Sequence, residues 1–288
     1  MKNIYTLLLL TLAFISCEDV IDVDVPSEEP RLTIDALIKI APEDEIVYIE
    51  VKAKLSSSFF DEIQPAKLDQ IIIQNIDKES NNTILLRESE DEQGVYFINI
   101  NREFLTEGRI VLGILYNEET YVAITEFVNA PVIDNLNQGD DSLFGNDETE
   151  IKISFTDLPD DDNYYLFDLN FDEYLLTEDI FYKNEQFSFS YFYDQKFQDN
   201  TSFEISLLGI DFPFYNYMNQ ILAQSGETQG PFQTPAGTVR GNIINVTDVE
   251  IDNFESIDDL ENIVPNENYA LGYFAICEEQ SKTVIIQN

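Results

Sequence analysis

Histidine and tryptophan are absent from the 288 residues, and cysteine occurs only at Cys17 and Cys277. Without histidine there is no Ser-His-Asp or Cys-His machinery, no imidazole proton shuttle and no histidine-containing zinc site. The lack of tryptophan removes the indole face on which sugar-binding sites commonly rest a ring, and the 15 Tyr and 21 Phe replace it only in part. Basic side chains are scarce too: 15 Lys and Arg stand against 56 Asp and Glu, for a formal charge of −41. That field excludes nucleic acid as a partner, because phosphate binding needs the opposite sign, and it repels anionic lipid headgroups. Its simplest service is to keep a solvated surface soluble. No apolar run is long enough for a transmembrane helix.

What is present is clearest at the start. Lys2 precedes an apolar run from Ile4 to Ile15 that stops at Ser16-Cys17, the pattern of a secretory signal peptide over residues 1–16 and too short to span a bilayer. Phe14-Ile15-Ser16-Cys17 resembles the bacterial lipobox, with Phe14 where Leu is usual. The resemblance implies cleavage before Cys17 and lipidation there by a diacylglycerol and a further acyl chain, such as palmitate. Each buried methylene contributes about 0.8 kcal/mol, so two or three chains anchor the protein to the outer membrane durably. Residues 17–30 then form an acidic tether: positions 18–30 hold six acids, no base and two prolines. Glu18, Asp19, Asp22 and Asp24 resemble the signal by which Bacteroidota send lipoproteins to the cell surface, which implies surface display.

From Arg31 short runs of branched and aromatic residues alternate with turn residues. The pattern predicts strands at Leu32–Ile40, Ile46–Leu55, Ile71–Ile76, Thr83–Arg87, Val95–Ile100, Arg109–Tyr116 and Tyr121–Phe127, an immunoglobulin-like sandwich over residues 31–128. Ile46 and Tyr48 spoil the alternation of the second strand, which implies burial on both its faces. Asn129-Ala130-Pro131 and the Gly/Asp/Asn-rich stretch 134–150 mark a boundary, beyond which a β-rich domain is expected over 132–288. Its strands are predicted at 151–155, 164–170, 186–193, 202–208, 238–244, 269–277 and 283–286. Phe214, Met218, Ile221 and Leu222 fall at helical spacing before Gly226, so one short amphipathic helix is placed over 213–225. The fold class is therefore mainly β, two sandwich-like domains with a single helix in the second. Cys277, in the apolar run 273–277, reads as a small buried hydrophobe in a strand.

Several motifs together resemble a Bacteroidota outer-membrane lipoprotein family known as domain of unknown function 4249. They are Cys17-Glu18-Asp19-Val20-Ile21-Asp22, Asp157-Leu158-Pro159 leading to Asn163-Tyr164-Tyr165, the run 190–197, the segment 215–218, Gly230-Pro231-Phe232, Gly241-Asn242-Ile243 and Leu271-Gly272-Tyr273-Phe274. The resemblance implies a role as accessory to a TonB-dependent transporter of the outer membrane, and it supplies no catalytic residue.

Only acid clusters offer chemistry. Asp157 with 160–163, and Asn137 with Asp140, Asp141 and 146–148, present hard oxygen ligands of the kind calcium takes. Neither has EF-hand spacing, since Leu136 stands where a ligand is required after Asp134, so both read as solvated turns and no metal or other cofactor is expected. A carboxylate pair could cleave a glycoside, but among 56 acids a pair at a suitable distance carries no signal without a cleft. No catalytic residue is therefore assigned. Asp141-Ser142-Leu143 resembles the O-glycosylation motif of Bacteroidota, which makes Ser142 a candidate modification site. Rings are dense between 164 and 217, and Phe187, Phe189 and Tyr191 share one strand face. That face reads as core, with Tyr182, Tyr193 or Tyr215 as exposed material for an interface. The expectation is a non-catalytic accessory or ligand-capture lipoprotein; the rival is a stand-alone surface glycan binder or carboxylate-based hydrolase.

Overall fold

Alternation of apolar and polar side chains builds most of the strands. In β1 (Leu32–Ile40) every even-numbered side chain is buried, and in β2 (Ile46–Leu55) Val47, Ile49, Val51 and Ala53 are. The double-sided burial expected of β2 is not found: Ile46 is 65% and Tyr48 55% exposed, with Tyr48 resting its ring on Phe97. The computed structural model describes residues 29–57, 62–80, 82–143, 147–159, 162–225, 238–248 and 268–287. Cys17, the signal peptide and nearly all of the tether lie outside the described residues.

The first half continues with β3 (Gln64–Pro65), β4 (Gln70–Asn75), β5 (Thr83–Leu85), β6 (Arg87–Glu88), β7 (Val95–Asn101), β8 (Arg109–Tyr116) and β9 (Glu119–Val128). The second holds β10 (Ile133–Gln138), β11 (Thr149–Thr156), β12 (Tyr164–Asp168), β13 (Tyr174–Glu178), β14 (Gln186–Tyr193), β15 (Ser202–Ile210), β16 (Ile244–Asn245) and β17 (Leu271–Ile285). The fold is mainly β, as the sequence pattern predicts. A five-residue helix, Arg102–Thr106, is additional; Asn101 caps it by accepting from the Glu103 amide at 3.0 Å.

One sheet path runs β5-β4-β8-β9-β17-β1-β2-β7-β6. Its terminal strands, β5 and β6, are separated in the chain only by the buried Leu86, so the path nearly closes on itself like a barrel. The core inside is aliphatic, built on Ile34, Ile40, Ile49, Ile71, Ile73 and Ile110. The second half stacks the three-stranded sheet β10-β11-β14 over β13-β12-β15 and the end of β17. Aromatic rings fill the space between these layers.

β17 belongs to both halves. Leu271–Glu278 pairs in parallel with Thr33–Ile40, and Glu279–Ile285 pairs antiparallel with Ser202–Leu208. Even-numbered side chains fill both interiors: Phe274 and Ile276 the first, Val284 and Ile286 the second. Odd-numbered Tyr273, Ala275 and Cys277 pack on the reverse side with Phe214 of the long helix, Phe212–Ser225. A strand covered on both faces reads as an unbroken apolar run, which accounts for residues 273–277. The division at 129–131 thus separates two cores without separating two sheets. β16, from the far end of the chain, also pairs with β9 of the first half.

Two small residues permit this joint. Gly272 sits at φ +92°, and a Cβ there would come within 1.7 Å of the Ile34 carbonyl oxygen, so only glycine fits. Asn242 fills the gap where β9 and β17 diverge: its Nδ2 donates to the Phe274 carbonyl at 2.8 Å and to the Ile124 carbonyl at 3.3 Å, and its Oδ1 accepts from the Phe274 amide at 2.9 Å.

Candidate functional site

The two halves meet along an open groove of about 950 Å³. One wall is the end of β9 with Asn129 and Ala130; the other is Leu158-Pro159, Asp162 to Tyr164, and the turn from Ile210 into the long helix. Contact beneath the groove is close, since a Cβ on Gly209 would lie 1.8 Å from the Asn129 carbonyl oxygen. Asp211 is the cap of the long helix, accepting from the Phe214 amide at 2.7 Å. Burial raises its pKa above the ordinary carboxylate value, and the Phe214 amide only partly opposes this. Glu126, Asp162 and Glu278 also line the groove. The one base in the lining, Arg109, is engaged by Asp77 at 2.8 Å, which lowers the Asp77 pKa.

Rings gather at the mouth. Tyr164 packs against Phe212 and Tyr215, with centroids 5.2 and 5.1 Å away. The turn after β13 is tied to the same end by the Asp179 amide, which donates to the Asn163 carbonyl at 3.1 Å. That turn turns Ile180 and Phe181 outward, 65% and 92% exposed, while Phe212 is 52% exposed. Sequence reasoning missed Phe181 and Phe212 as surface rings; an Ile-Phe pair inside an acidic turn was the available signal.

The rings proposed from sequence as surface material fare differently. Tyr215 is half-buried at the groove, but Tyr182 and Tyr193 belong to the second core. Their hydroxyls find partners inside, which removes the penalty of burying them. Tyr193 donates to the Leu169 carbonyl at 2.6 Å, and the Tyr182 hydroxyl lies 2.8 Å from that of Thr177. Phe187, Phe189 and Tyr191 do line one face, and all three pack partly buried on the same core.

Several described members of the acid clusters have structural partners. Asp157 accepts from the Tyr165 hydroxyl at 2.5 Å and from the Asn184 amide at 2.8 Å. Asp162 pairs with Lys183 at 2.7 Å. Residues 160, 161 and 146 lie outside the described residues, and among those described no acid group is arranged to hold a metal. Glu150 is buried but receives the Ser190 hydroxyl at 2.5 Å, the Asp141 amide at 2.9 Å and Lys152 at 3.4 Å. Burial pushes its carboxyl up, and these donors together outweigh that and hold it below the usual value. Ser142 is exposed in the loop between β10 and β11, where a modifying enzyme could reach it. Cys277 is buried, and burial raises its thiol far above the ordinary value, so it stays an inert protonated hydrophobe.

Motif residues 17–22 and 230–232 lie outside the described residues, and two of the motifs within the described residues hold the fold. Asp157, Leu158, Asn163 and Tyr165 bond one another, and Asn242 meets Phe274 across the β9–β17 gap. The model of the family described as Domain of unknown function (DUF4249) matches residues 18–251, and the chain belongs to that family. No curated protein matches the chain.

Proposed function

We propose that the chain is a non-catalytic outer-membrane lipoprotein, anchored by acyl chains on Cys17, that serves as an accessory or ligand-capture partner of a TonB-dependent transporter. The supporting observation is the aromatic shelf beside the groove, with Phe181 92% exposed on a chain whose formal charge is −41. A cluster of exposed rings costs solubility and is the usual material of a binding hot spot. In this reading residues 1–16 are removed and residues 17–30 carry the fold away from the bilayer. Ser142 lies on the outward surface as a glycosylation site. The acids lining the groove favour a neutral or cationic ligand.

Mild detergent extraction of the native lipoprotein should bring a large outer-membrane barrel with it, across an interface of about 1,200–2,000 Å². Added salt should only partly dissociate it, because apolar burial is not screened. Cys17→Ala should abolish labelling by a fed fatty acid and release the protein from the membrane. Recovery as a lone monomer that cleaves a glycan or peptide, with activity lost on changing one Asp or Glu, would replace this reading with the hydrolase.

A further inference from the structure

Among the described residues β14 is the longest strand with one side wholly open. It pairs only with β11, through Gln186–Tyr193 against Thr149–Thr156, and among the described residues nothing bonds its other edge. Alternate residues of an antiparallel strand point their amides and carbonyls away from the partner, so about four residues offer unused backbone groups there. Proteins blunt such edges with charge, proline or a bulge. β14, Gln-Phe-Ser-Phe-Ser-Tyr-Phe-Tyr, has neither charge nor proline, and its register with β11 is unbroken. The rings of Phe187, Phe189 and Tyr191 point to the core yet remain only partly buried, as expected where a sandwich lacks its next strand.

We infer that the open edge of β14 receives an extended strand from a partner chain, one with apolar residues at alternate positions and basic residues at its ends. The apolar positions would complete the cover over Phe187, Phe189 and Tyr191. The basic ends follow from the exposed Glu185 and Asp194 that bracket β14. A second copy of this chain is disfavoured by the same two residues: full antiparallel self-pairing sets Glu185 against Asp194 of the copy, between two chains of formal charge −41. The inference rests on the reading that function resides in a partner interface and adds the β14 edge to the shelf that carries Phe181.

The test uses the purified mature chain and a synthetic peptide of alternating valine and threonine ending in lysine pairs. Saturable binding should slow hydrogen exchange of β14 amides. A peptide N-methylated along one edge, which keeps its side chains and charge, should bind at least about tenfold more weakly. Ser188→Lys, on the exposed outer face, should weaken binding similarly while leaving the thermal transition in place; Ser188→Thr should restore it. No binding, binding indifferent to N-methylation, or β14 protection that rises with protein concentration without peptide would overturn the proposal. Co-purification separates the two readings: if Ser188→Lys still brings down the barrel that wild type does, the interface stands and the β14 edge is excluded.

Discussion

The two halves solve the same problem with different side chains. Of the 27 buried residues in the first core four are aromatic, whereas seven of the fifteen in the second are. Small branched residues suit a sheet that curls until its terminal strands nearly meet, and closure leaves only short edges. Large rings hold layers apart and make contacts at varied angles: Phe155 touches Tyr165, Phe167, Tyr182 and Phe187 at 5.4 to 6.0 Å. The aromatic sandwich stays open along β14 and carries the exposed Phe181. On the proposed function the aliphatic barrel is the scaffold and the aromatic sandwich the surface offered to a partner, while β17 pairs with strands of both halves.

The strongest way to break that comparison is at β17. Gly272→Ala forces a Cβ into the Ile34 carbonyl at positive φ, and should cost more than about 3 kcal/mol. Both halves should be lost in one transition by differential scanning calorimetry; survival of the aromatic half would show that the strand does not couple them. Next is Phe155→Ala, which should cost about 3–5 kcal/mol and again give a single transition, since the shared strand ties the barrel to the damaged sandwich. Two resolved transitions would mean separable halves.

A smaller effect sharpens the electrostatics. The pKa of Glu150 is lowered in the folded chain, so its contribution is present above the unfolded carboxylate value of 4.5 and is lost as pH falls through the lower folded value. Glu150→Gln should therefore be destabilised near neutral pH by about 1–3 kcal/mol, with the gap to wild type closing below 4.5 in denaturant titrations. A gap independent of pH would mean that packing, not charge, keeps Glu150 in place. Smallest in stability is Phe181→Ser, expected within about 0.5 kcal/mol of wild type because the ring is solvated. The same variant should lose most of the co-purified barrel.

Sequence pattern located the strands wherever one face is apolar and the other polar. β1, β2 and β14 fall on the residues expected, and so does β8 although it is buried on both faces. β10 was hidden because Ile-Asp-Asn-Leu-Asn-Gln offers only Ile133 and Leu136 to the core within a stretch rich in turn formers. β17 reads as two strands because Glu278 to Lys282 is polar. The structure keeps it continuous by placing Lys39 between Glu279 and Asp168, each 3.2 Å away, at the crossing of the halves. Burial disfavours the charged Lys39, but the two carboxylates outweigh it and raise its pKa, so the cation remains. The long helix begins at Phe212, within a residue of expectation, because Asp211 caps it. The groove was not legible at all, since its walls come from Ile124, Pro159 and Asp211, far apart in sequence and brought together by the pairing of β12 with β15 and by β17.

The division of labour that the proposed function assigns to the halves is tested most directly by hydrogen exchange on the native protein in detergent extracts of the membrane, compared with the purified chain alone. Added protection should fall on β14 and on the turn carrying Ile180 and Phe181, with β5 and β6 of the barrel unchanged. Protection confined to β5 and β6, or no difference between the two samples, would contradict the account.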